Sequence, residues 1–339
     1  MGKKRIFEPT DKQKGLLRMT ASENEGDMTE ARRALAKALE GAFRAAVLAD
    51  DTLDGIFEKI VVPAGADTRF PLHFLAPGEE EDRIAFVMPK EGAIPQRFIE
   101  GDEIYVPTYV VANSIDWPLR YARDARWDVV QDALDVFRYG FVRRFNDDGW
   151  HTVIQAAVTN GRVVDTAATA GVLTKRLITN LMVGIKRLTG GRASKVTDLY
   201  LSPEALADIR HWVDTELDQT SRREVQVGKG PAGIPEIYGV KLHELQELGE
   251  GQSYQTYIEA TDGGNRASWF TGGGGTDVEF CIALDLQRRA NYPFKMPIRE
   301  DVRVFDDPTL HRSARAGVYG WAEVGFVCLD ARYALIGTL

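Results

Sequence analysis

A glycine-rich hexapeptide at residues 228–233 is the first segment whose residue types and spacing could do chemistry. It reads Gly-Lys-Gly-Pro-Ala-Gly and matches the G-x-G-x-x-G string of dinucleotide-binding folds. That motif needs a strand before it and a helix after it, because amides at the helix start hold the pyrophosphate. Pro231 and Pro235 interrupt the segment, and residues 237–240 are typical of a strand. The sequence weighs against cofactor binding here, and a cytoplasmic α/β enzyme that uses this loop stays as a rival hypothesis.

Other residues that could support catalysis or metal binding are also poorly placed. Residues 272–275 are four glycines, but no Lys-Ser/Thr pair follows them as it does in a P-loop. The sequence has no G-x-S-x-G nucleophile motif. Its five histidines lack the i, i+3 or i+4 pairing that favours a metal site: His73, His151, His211, His243 and His311. We therefore expect no catalytic residue, no cofactor and no metal.

The composition predicts a globular protein with one large domain or two smaller ones. Of the 339 residues, 44% are hydrophobic and 27% are charged, and the net charge of -8 argues against a dedicated nucleic-acid-binding protein. The sequence contains no apolar run of the roughly 18 residues that a membrane helix needs, and no secretory signal. Cys281 and Cys328 lie in strand-like runs and are interpreted as buried thiols in a reducing compartment, the cytoplasm.

The elements that would position any functional residue begin with a basic segment and a helix. Residues 1–26 are polar and carry six basic residues, so we predict a mobile tail. This tail is either simply solvated, or it faces nucleic acid or a neighbouring subunit. Residues 27–64 form a predicted arm with a helix, since Asp27 and Glu30 have capping-box spacing. Apolar side chains then recur every fourth residue: Leu35, Leu39, Phe43 and Val47.

Between residues 56 and 115 the pattern changes to strands. We predict strands at 68–75, 83–88 and 104–111. The turn that joins the first two contains four consecutive acids, which need water or a basic partner: Glu79, Glu80, Glu81 and Asp82. A bare two-stranded hairpin is marginally stable, so we expect this long hairpin to lie on another surface.

The clearest element is a helix predicted over residues 124–146. Six apolar side chains at spacings of three and four form one stripe: Trp127, Val130, Leu134, Phe137, Phe141 and Phe145. Burial of each would contribute about 1.5–3 kcal/mol before entropy costs. The run Asn146-Asp147-Asp148-Gly149 is predicted to end this helix.

The second half of the chain mixes helices and strands. A helix is predicted over 174–188, and a strand over 196–201 leads into Ser202-Pro203-Glu204. Serine is a preferred N-cap, proline a preferred first helical residue, and glutamate suits the positive end of the helix dipole. A polar loop at 214–235 is followed by further predicted strands, at 237–242, 254–259, 278–284, 302–305 and 318–329.

The order of these elements resembles the Hong Kong 97-type fold of tailed-phage major capsid proteins, which encapsulins share. Residues 109–129 are similar to the strand that leaves the extended loop and enters the spine helix. Residues 198–209 are similar to the strand and helix of the axial domain. Residues 237–242 are similar to the family's glycine-containing stretch, with Lys241 where a proline is common. Residues 302–339 resemble the closing strands of the peripheral domain.

The resemblance implies an α+β protein with an N-terminal arm, an extended β-hairpin loop at 65–113 and a long spine helix. The peripheral domain would combine 114–190 with 293–339, and the axial α/β domain would be 191–292. It implies self-assembly of hexamers and pentamers, around the axial domain's polar loop, into an icosahedral virion shell built in the host cytoplasm. The shell would enclose double-stranded DNA without sequence specificity and would not involve a membrane.

Further expectations concern contacts and partners. The resemblance implies that Glu79, Glu80, Glu81, Asp82 and Lys90 of the extended loop contact a neighbouring subunit. Some relatives cross-link a loop lysine to an asparagine, but no asparagine or catalytic glutamate here matches by motif. A separate scaffold protein is hypothesised, since no long helical extension typical of a fused scaffold is evident, and portal and decoration proteins are candidate partners. An encapsulin-like shell around a protein cargo remains the alternative within this fold.

Overall fold

The computed structural model describes thirteen parts of the chain: residues 11–20, 25–49, 53, 55–63, 65–72, 102–124, 127–164, 171–189, 194–212, 236–249, 251–261, 279–287 and 292–339. The chain divides into two compact units. Unit 1 combines 1–66, 107–150 and 296–326, and unit 2 combines 67–106, 151–295 and 327–339.

The described elements alternate between helices and strands. The helices are α1 (Asp11–Met19), α2 (Glu25–Ala49), α3 (Leu119–Arg123), α4 (Trp127–Thr159), α5 (Lys175–Leu188), α6 (Pro203–His211) and α7 (Ser253–Thr261). The strands are β1 (Glu58–Val61), β2 (Arg69–Leu72), β3 (Asp102–Tyr105), β4 (Tyr109–Pro118), β5 (Arg162–Val164), β6 (Asp198–Leu201), β7 (Glu236–Ile237), β8 (Val240–Glu244), β9 (Phe280–Leu284), β10 (Phe294–Asp306), β11 (Arg315–Val324), β12 (Val327–Cys328) and β13 (Ala334–Thr338). Two short 3-10 helices span Pro308–Ser313 and Ala331–Tyr333.

The sheet of unit 1 has the strand order β1-β10-β11-β4. Strands β10 and β11 pair antiparallel, and so do β11 and β4, from Tyr109 opposite Val324 to Pro118 opposite Arg315. The first two residues of β10 belong to unit 2 and pair with β12. Strand β4 is ten residues long and, among the described strands, lies at one edge of this sheet.

Helix α4 covers one face of the unit 1 sheet with its apolar stripe. Asn113 Nδ2 on β4 donates a hydrogen bond to the carbonyl oxygen of Phe137 at 3.0 Å. The rings of Phe137 and Phe141 pack edge to face, with centroids 5.3 Å apart. Five stripe residues are buried: Val130, Leu134, Phe137, Phe141 and Phe145. Trp127 begins the helix, and its side chain lies outside the described part of the structure.

The predicted end of this helix at residues 146–149 is wrong, because α4 continues for ten more residues to Thr159. The acids in the predicted stop signal pair with arginines one turn earlier, Arg143 with Asp147 and Arg144 with Asp148. Gly149 lies inside this helix, and a larger residue does not fit at its position. A Cβ on Gly149 would lie well inside van der Waals distance of the Leu53 side chain. The glycine thus marks a close approach between elements and not a helix terminus.

Gly149→Ala should destabilise unit 1 by about 1–3 kcal/mol, because the added methyl group overpacks the contact with Leu53. The matched control is Gly15→Ala in α1, where a Cβ would meet no atom within 4 Å. That change should stabilise the protein by up to about 1 kcal/mol through helix propensity. Urea unfolding of both variants measures the two effects. Equal stabilisation by both substitutions would show that the Leu53 contact is loose.

Unit 2 contains a six-stranded mixed sheet in the order β5-β13-β9-β6-β8-β7. The pairs β5–β13 and β6–β8 are parallel, and the remaining pairs are antiparallel. Helices α5 and α6 join one hydrophobic core with this sheet through Leu177, Leu181, Ile209 and their neighbours. The predicted strand-to-helix joint is present, since Ser202 Oγ accepts a hydrogen bond from the Ala205 amide at 3.0 Å.

Several boundaries differ from those expected. Residues 11–19, expected in a mobile tail, form α1, whose Leu17 is buried. The expected strand at 254–259 is helix α7, in which Tyr254 and Ile258 are both buried one helical turn apart. The expected strand at 104–111 is divided between β3 and β4. Strand β13, expected with the peripheral domain, pairs with β9 in the sheet of unit 2, and every residue of both strands is buried.

Candidate functional site

The first candidate site is an Asp–His pair in unit 2. His243 Nε2 on β8 lies 2.7 Å from Asp198 Oδ1 on β6. Burial raises the pKa of the Asp198 carboxyl, but hydrogen bonds from His243 and Thr197 outweigh burial and hold the pKa below its usual value. The imidazole stacks on Tyr200 at 4.8 Å, and burial raises the pKa of that phenol. The pair ties two parallel strands together, and the stacked tyrosine is protonated at neutral pH and is a poor nucleophile.

The two cysteines are equally unsuited to catalysis. Both are free thiols. Cys281 is fully buried, and Cys328 is partly exposed. Burial raises the pKa of each thiol to about 12, so neither forms the reactive thiolate at neutral pH. Among the described residues, no three His, Cys, Asp or Glu side chains cluster to hold a metal ion. The glycine-rich hexapeptide at 228–233 lies outside the described residues.

The surface features of unit 1 are better suited to binding a protein chain. Strand β4 pairs with β11 along one side, and no other described strand pairs with its opposite side. The outer side of an edge strand presents backbone N–H and C=O groups that an incoming extended segment can pair with. Strand β4 is long for an edge strand, and Val110 on it is 62% exposed.

A groove of about 380 Å³ runs beside this edge, between β4 and α4. Its lining comes from both elements: Tyr109, Val110, Val111, Ala112, Asn113, Gly140, Phe141 and Arg144. The Tyr109 hydroxyl donates to Asp148 Oδ2 at 2.7 Å, and Arg144 Nε donates to the same oxygen at 2.9 Å. Partial burial and the Asp148 carboxylate raise the pKa of Tyr109, so its hydroxyl remains a donor. These bonds fix one wall of the groove in place.

The opposite face of the same sheet carries a cluster of three aromatic rings, Phe305, Tyr319 and Trp321. The centroids of Phe305 and Tyr319 are 5.5 Å apart, and those of Phe305 and Trp321 are 5.2 Å apart. Trp321 is 37% exposed and stands opposite Ala112 of β4. Aromatic residues at such exposure are enriched in protein–protein interfaces. Both flanks of the β4 edge therefore offer apolar surface to a partner.

Comparison with known proteins identifies the fold. No family model matches the chain, and no curated protein matches its sequence. A chain of Microbacterium phage Oxtober96 matches 85% of this chain and 90% of its own length, with a TM-score of 0.52 and 12% identity. A chain from the capsid of cyanophage P-SCSP1u matches 85% of this chain and 87% of its own length, with a TM-score of 0.53 and 12% identity. A chain from the capsid of an empty GTA particle matches 86% of this chain and 90% of its own length, with a TM-score of 0.51 and 13% identity.

The chain has the Hong Kong 97-type capsid fold. The expected α+β class is confirmed with it. Within this fold, α4 occupies the place of the predicted spine helix, and β2 pairs antiparallel with β3, with Leu72 opposite Asp102. The segment between those two residues contains Glu79, Glu80, Glu81, Asp82 and Lys90, all of which lie outside the described residues.

Sequence reasoning missed the surface features of this capsid fold. Tyr319 and Trp321 are two residues apart, which places both rings on one face of a strand, and that alternation could have been noticed. The position of β4 at a sheet edge could not, because strand order depends on pairing between segments about 200 residues apart. None of the described helices is both long enough and apolar enough to cross a membrane.

Proposed function

We propose that this protein is the major capsid protein of a tailed phage. It is a structural protein and not an enzyme, and copies of it assemble into an icosahedral shell around double-stranded DNA. The observation that carries the proposal is the likeness to capsid chains over about 85% of this chain and nearly 90% of theirs. The exposed edge and aromatic face of unit 1 support it, because a shell subunit must bind copies of itself.

In this proposal the two units correspond to the two domains of the capsid fold. The sheet of unit 1 and residues 127–150 of α4 belong to the peripheral domain, and the six-stranded sheet of unit 2 belongs to the axial domain. Hexamers and pentamers form around the polar loop at 214–235. Residues 65–113 form the extended loop: β2 and β3 are its described base, and its last residues, 109–113, already belong to strand β4 of the unit 1 sheet.

The extended loop of one copy lies on unit 1 of the next copy. An extended segment adds to an open edge strand through main-chain hydrogen bonds, and side chains then enter pockets on alternate positions. Strand β4 supplies the edge and the adjoining groove supplies the pocket. Arg144, which lines the groove, is 60% exposed and fits an acidic loop tip.

Negative-stain electron microscopy with light scattering tests the proposal. Closed shells, or rings of five and six subunits, are the expected result. Nuclease-protected DNA inside shells produced with the rest of the phage genes identifies a virus, whereas a protein cargo identifies an encapsulin-like compartment. A monomer or dimer that persists at high concentration, with added salt and crowding agents, would overturn the shell proposal and return attention to the enzyme hypothesis.

Reversing the charges of Glu80 and Glu81 to lysine should weaken assembly and leave folding unchanged. An exposed ion pair contributes about 0.2–1 kcal/mol, so two reversals at each contact should raise the protein concentration needed for assembly roughly tenfold. Light scattering against concentration measures this, and urea unfolding checks the fold.

The control for this prediction is a double reversal elsewhere, Glu244→Lys with Glu247→Lys, at two exposed positions of unit 2. It changes the net charge by the same amount and should alter assembly much less. If both double variants assemble like the wild type, the acidic tip is a solvated turn. If both weaken assembly equally, net charge and not the tip controls association.

A further inference from the structure

Strands β7 and β8 are joined by a two-residue turn with an unusual backbone. Ile237 pairs with Val240, so Tyr238 and Gly239 form the whole connection. Their φ angles are +53° and +77°, and positive φ at both central residues is the mark of a type I′ hairpin turn. Asparagine or aspartate followed by glycine is the usual sequence of such a turn. Here tyrosine takes the first position.

The backbone conformation at that position is unfavourable for tyrosine. A bulky L-residue in the left-handed region brings its Cβ too close to the following carbonyl oxygen. Among the described residues, Ala314 is the one other non-glycine residue with positive φ. An asparagine at 238 would adopt the same backbone more easily and keep the hairpin.

The tyrosine side chain also gains little from packing within its own chain. The residues on either side of the turn, Ile237 and Val240, are buried, whereas Tyr238 is 59% exposed. In the part of the chain that the structure describes, Tyr238 has no side-chain hydrogen bond and no ring contact. Contacts among the described residues therefore do not offset the conformational cost of this residue.

The position of the turn in the fold indicates which contact could offset the conformational cost of Tyr238. Among the described strands, β7 is the outermost of the six-stranded sheet and has two residues, so the turn lies at the edge of the described sheet. It follows the polar loop at 214–235 directly in sequence. Tyrosine combines a large apolar ring with a hydroxyl and few rotamers, which makes it a common anchor at protein interfaces.

We propose that Tyr238 is an inter-subunit anchor that inserts its ring into a second copy of this chain. The proposal rests on the proposed shell function, in which every subunit edge meets other copies. The receiving surface has apolar walls for the ring and an acceptor for the phenol hydroxyl. The rigid turn holds the side chain away from its own subunit, so little freedom is lost when it docks.

The test is the pair of variants Tyr238→Asn and Tyr238→Phe. Tyr238→Asn relaxes the turn, so the urea midpoint of the dissociated subunit should rise. It also removes the anchor, so the concentration needed for assembly should increase roughly tenfold or more. Tyr238→Phe keeps the ring, so its assembly should lie between those of the wild type and Tyr238→Asn. The control Val172→Asn removes another exposed apolar side chain of unit 2 and should change assembly little.

The anchor role predicts that Tyr238→Asn stabilises the isolated subunit and weakens assembly, and these two opposite effects can be measured separately. If Tyr238→Asn assembles as readily as the wild type, the anchor role is wrong and the shell proposal stands. If Tyr238→Asn lowers the subunit's own stability, the ring packs within its own chain, and the anchor role is also wrong. A wild-type protein that never forms shells overturns the shell proposal and this inference together.

Discussion

Phe137→Asp should abolish folding of unit 1 and leave the protein insoluble. Phe137 is 1% exposed, packs against Phe141, and faces Gly320 of β11, where a Cβ would lie 3.1 Å from its ring. The substitution removes a buried ring, which costs about 3–5 kcal/mol, and also places an unpaired carboxylate under the sheet. The sum approaches the whole stability of a typical domain, about 5–15 kcal/mol. The soluble fraction after expression measures the loss.

The control for this prediction is the preceding residue of the same helix. Val136 is 64% exposed, so Val136→Asp introduces the same charge without burying it. It should change stability by no more than about 0.5 kcal/mol. A soluble, cooperatively folded Phe137→Asp protein would mean that α4 does not lie against the sheet as described.

The second large effect is expected at a buried ion pair in unit 2. Asp330 accepts hydrogen bonds from Arg332 Nε at 2.9 Å and from Arg332 Nη2 at 2.8 Å, and its Oδ1 also accepts from the Arg332 amide at 3.0 Å. Their side chains are 4% and 10% exposed. Asp330→Ala should destabilise unit 2 by about 3–5 kcal/mol, because it leaves a buried guanidinium without its carboxylate. Urea unfolding measures the change.

A double variant separates the pair from its surroundings. Asp330→Ala combined with Arg332→Met removes both charges and keeps much of the arginine's volume. Replacing a buried pair with apolar residues is often neutral, so the double variant should recover most of the lost stability. If it is no more stable than Asp330→Ala, the loss comes from the 3-10 helix that Asp330 caps and not from removal of the carboxylate beside Arg332.

Local signals predicted the parts of the fold that depend on short stretches of chain. The stripe from Val130 to Phe145 predicted a buried helix face, because the helical period is fixed by backbone geometry. Ser202-Pro203 predicted a helix start, since capping involves three neighbouring residues. The same local reasoning failed at Gly149, where a contact with Leu53, about 100 residues earlier, explains the glycine. It failed again at residues 254–259, which are helical. Tyr254 and Ile258 are aromatic and β-branched residues, and such residues are enriched in strands.

The candidate site was less accessible to sequence reasoning than the fold. The acidic tip was noticed because four consecutive acids are conspicuous, but its place on a partner came from the resemblance alone. The groove beside β4 and the exposed Tyr238 were missed. The groove exists because β4 is the last strand in the order of the sheet, and the proposed role of Tyr238 depends on its positive φ angle. Neither the strand order nor the φ angle could be read from a short run of residues.

The order of strands in the sheet of unit 2 has a consequence for how the protein is made. Strand β13, at residues 334–338, lies between β5 and β9, and all five of its residues are buried. The strands that it joins were synthesised well before it, so the sheet stays incomplete until the ribosome has translated residue 338. Pairing across such long sequence separations is slow, and unpaired strand edges are prone to aggregate. Formation of this sheet thus requires translation through residue 338, since a chain that is terminated earlier lacks the strand that completes the sheet.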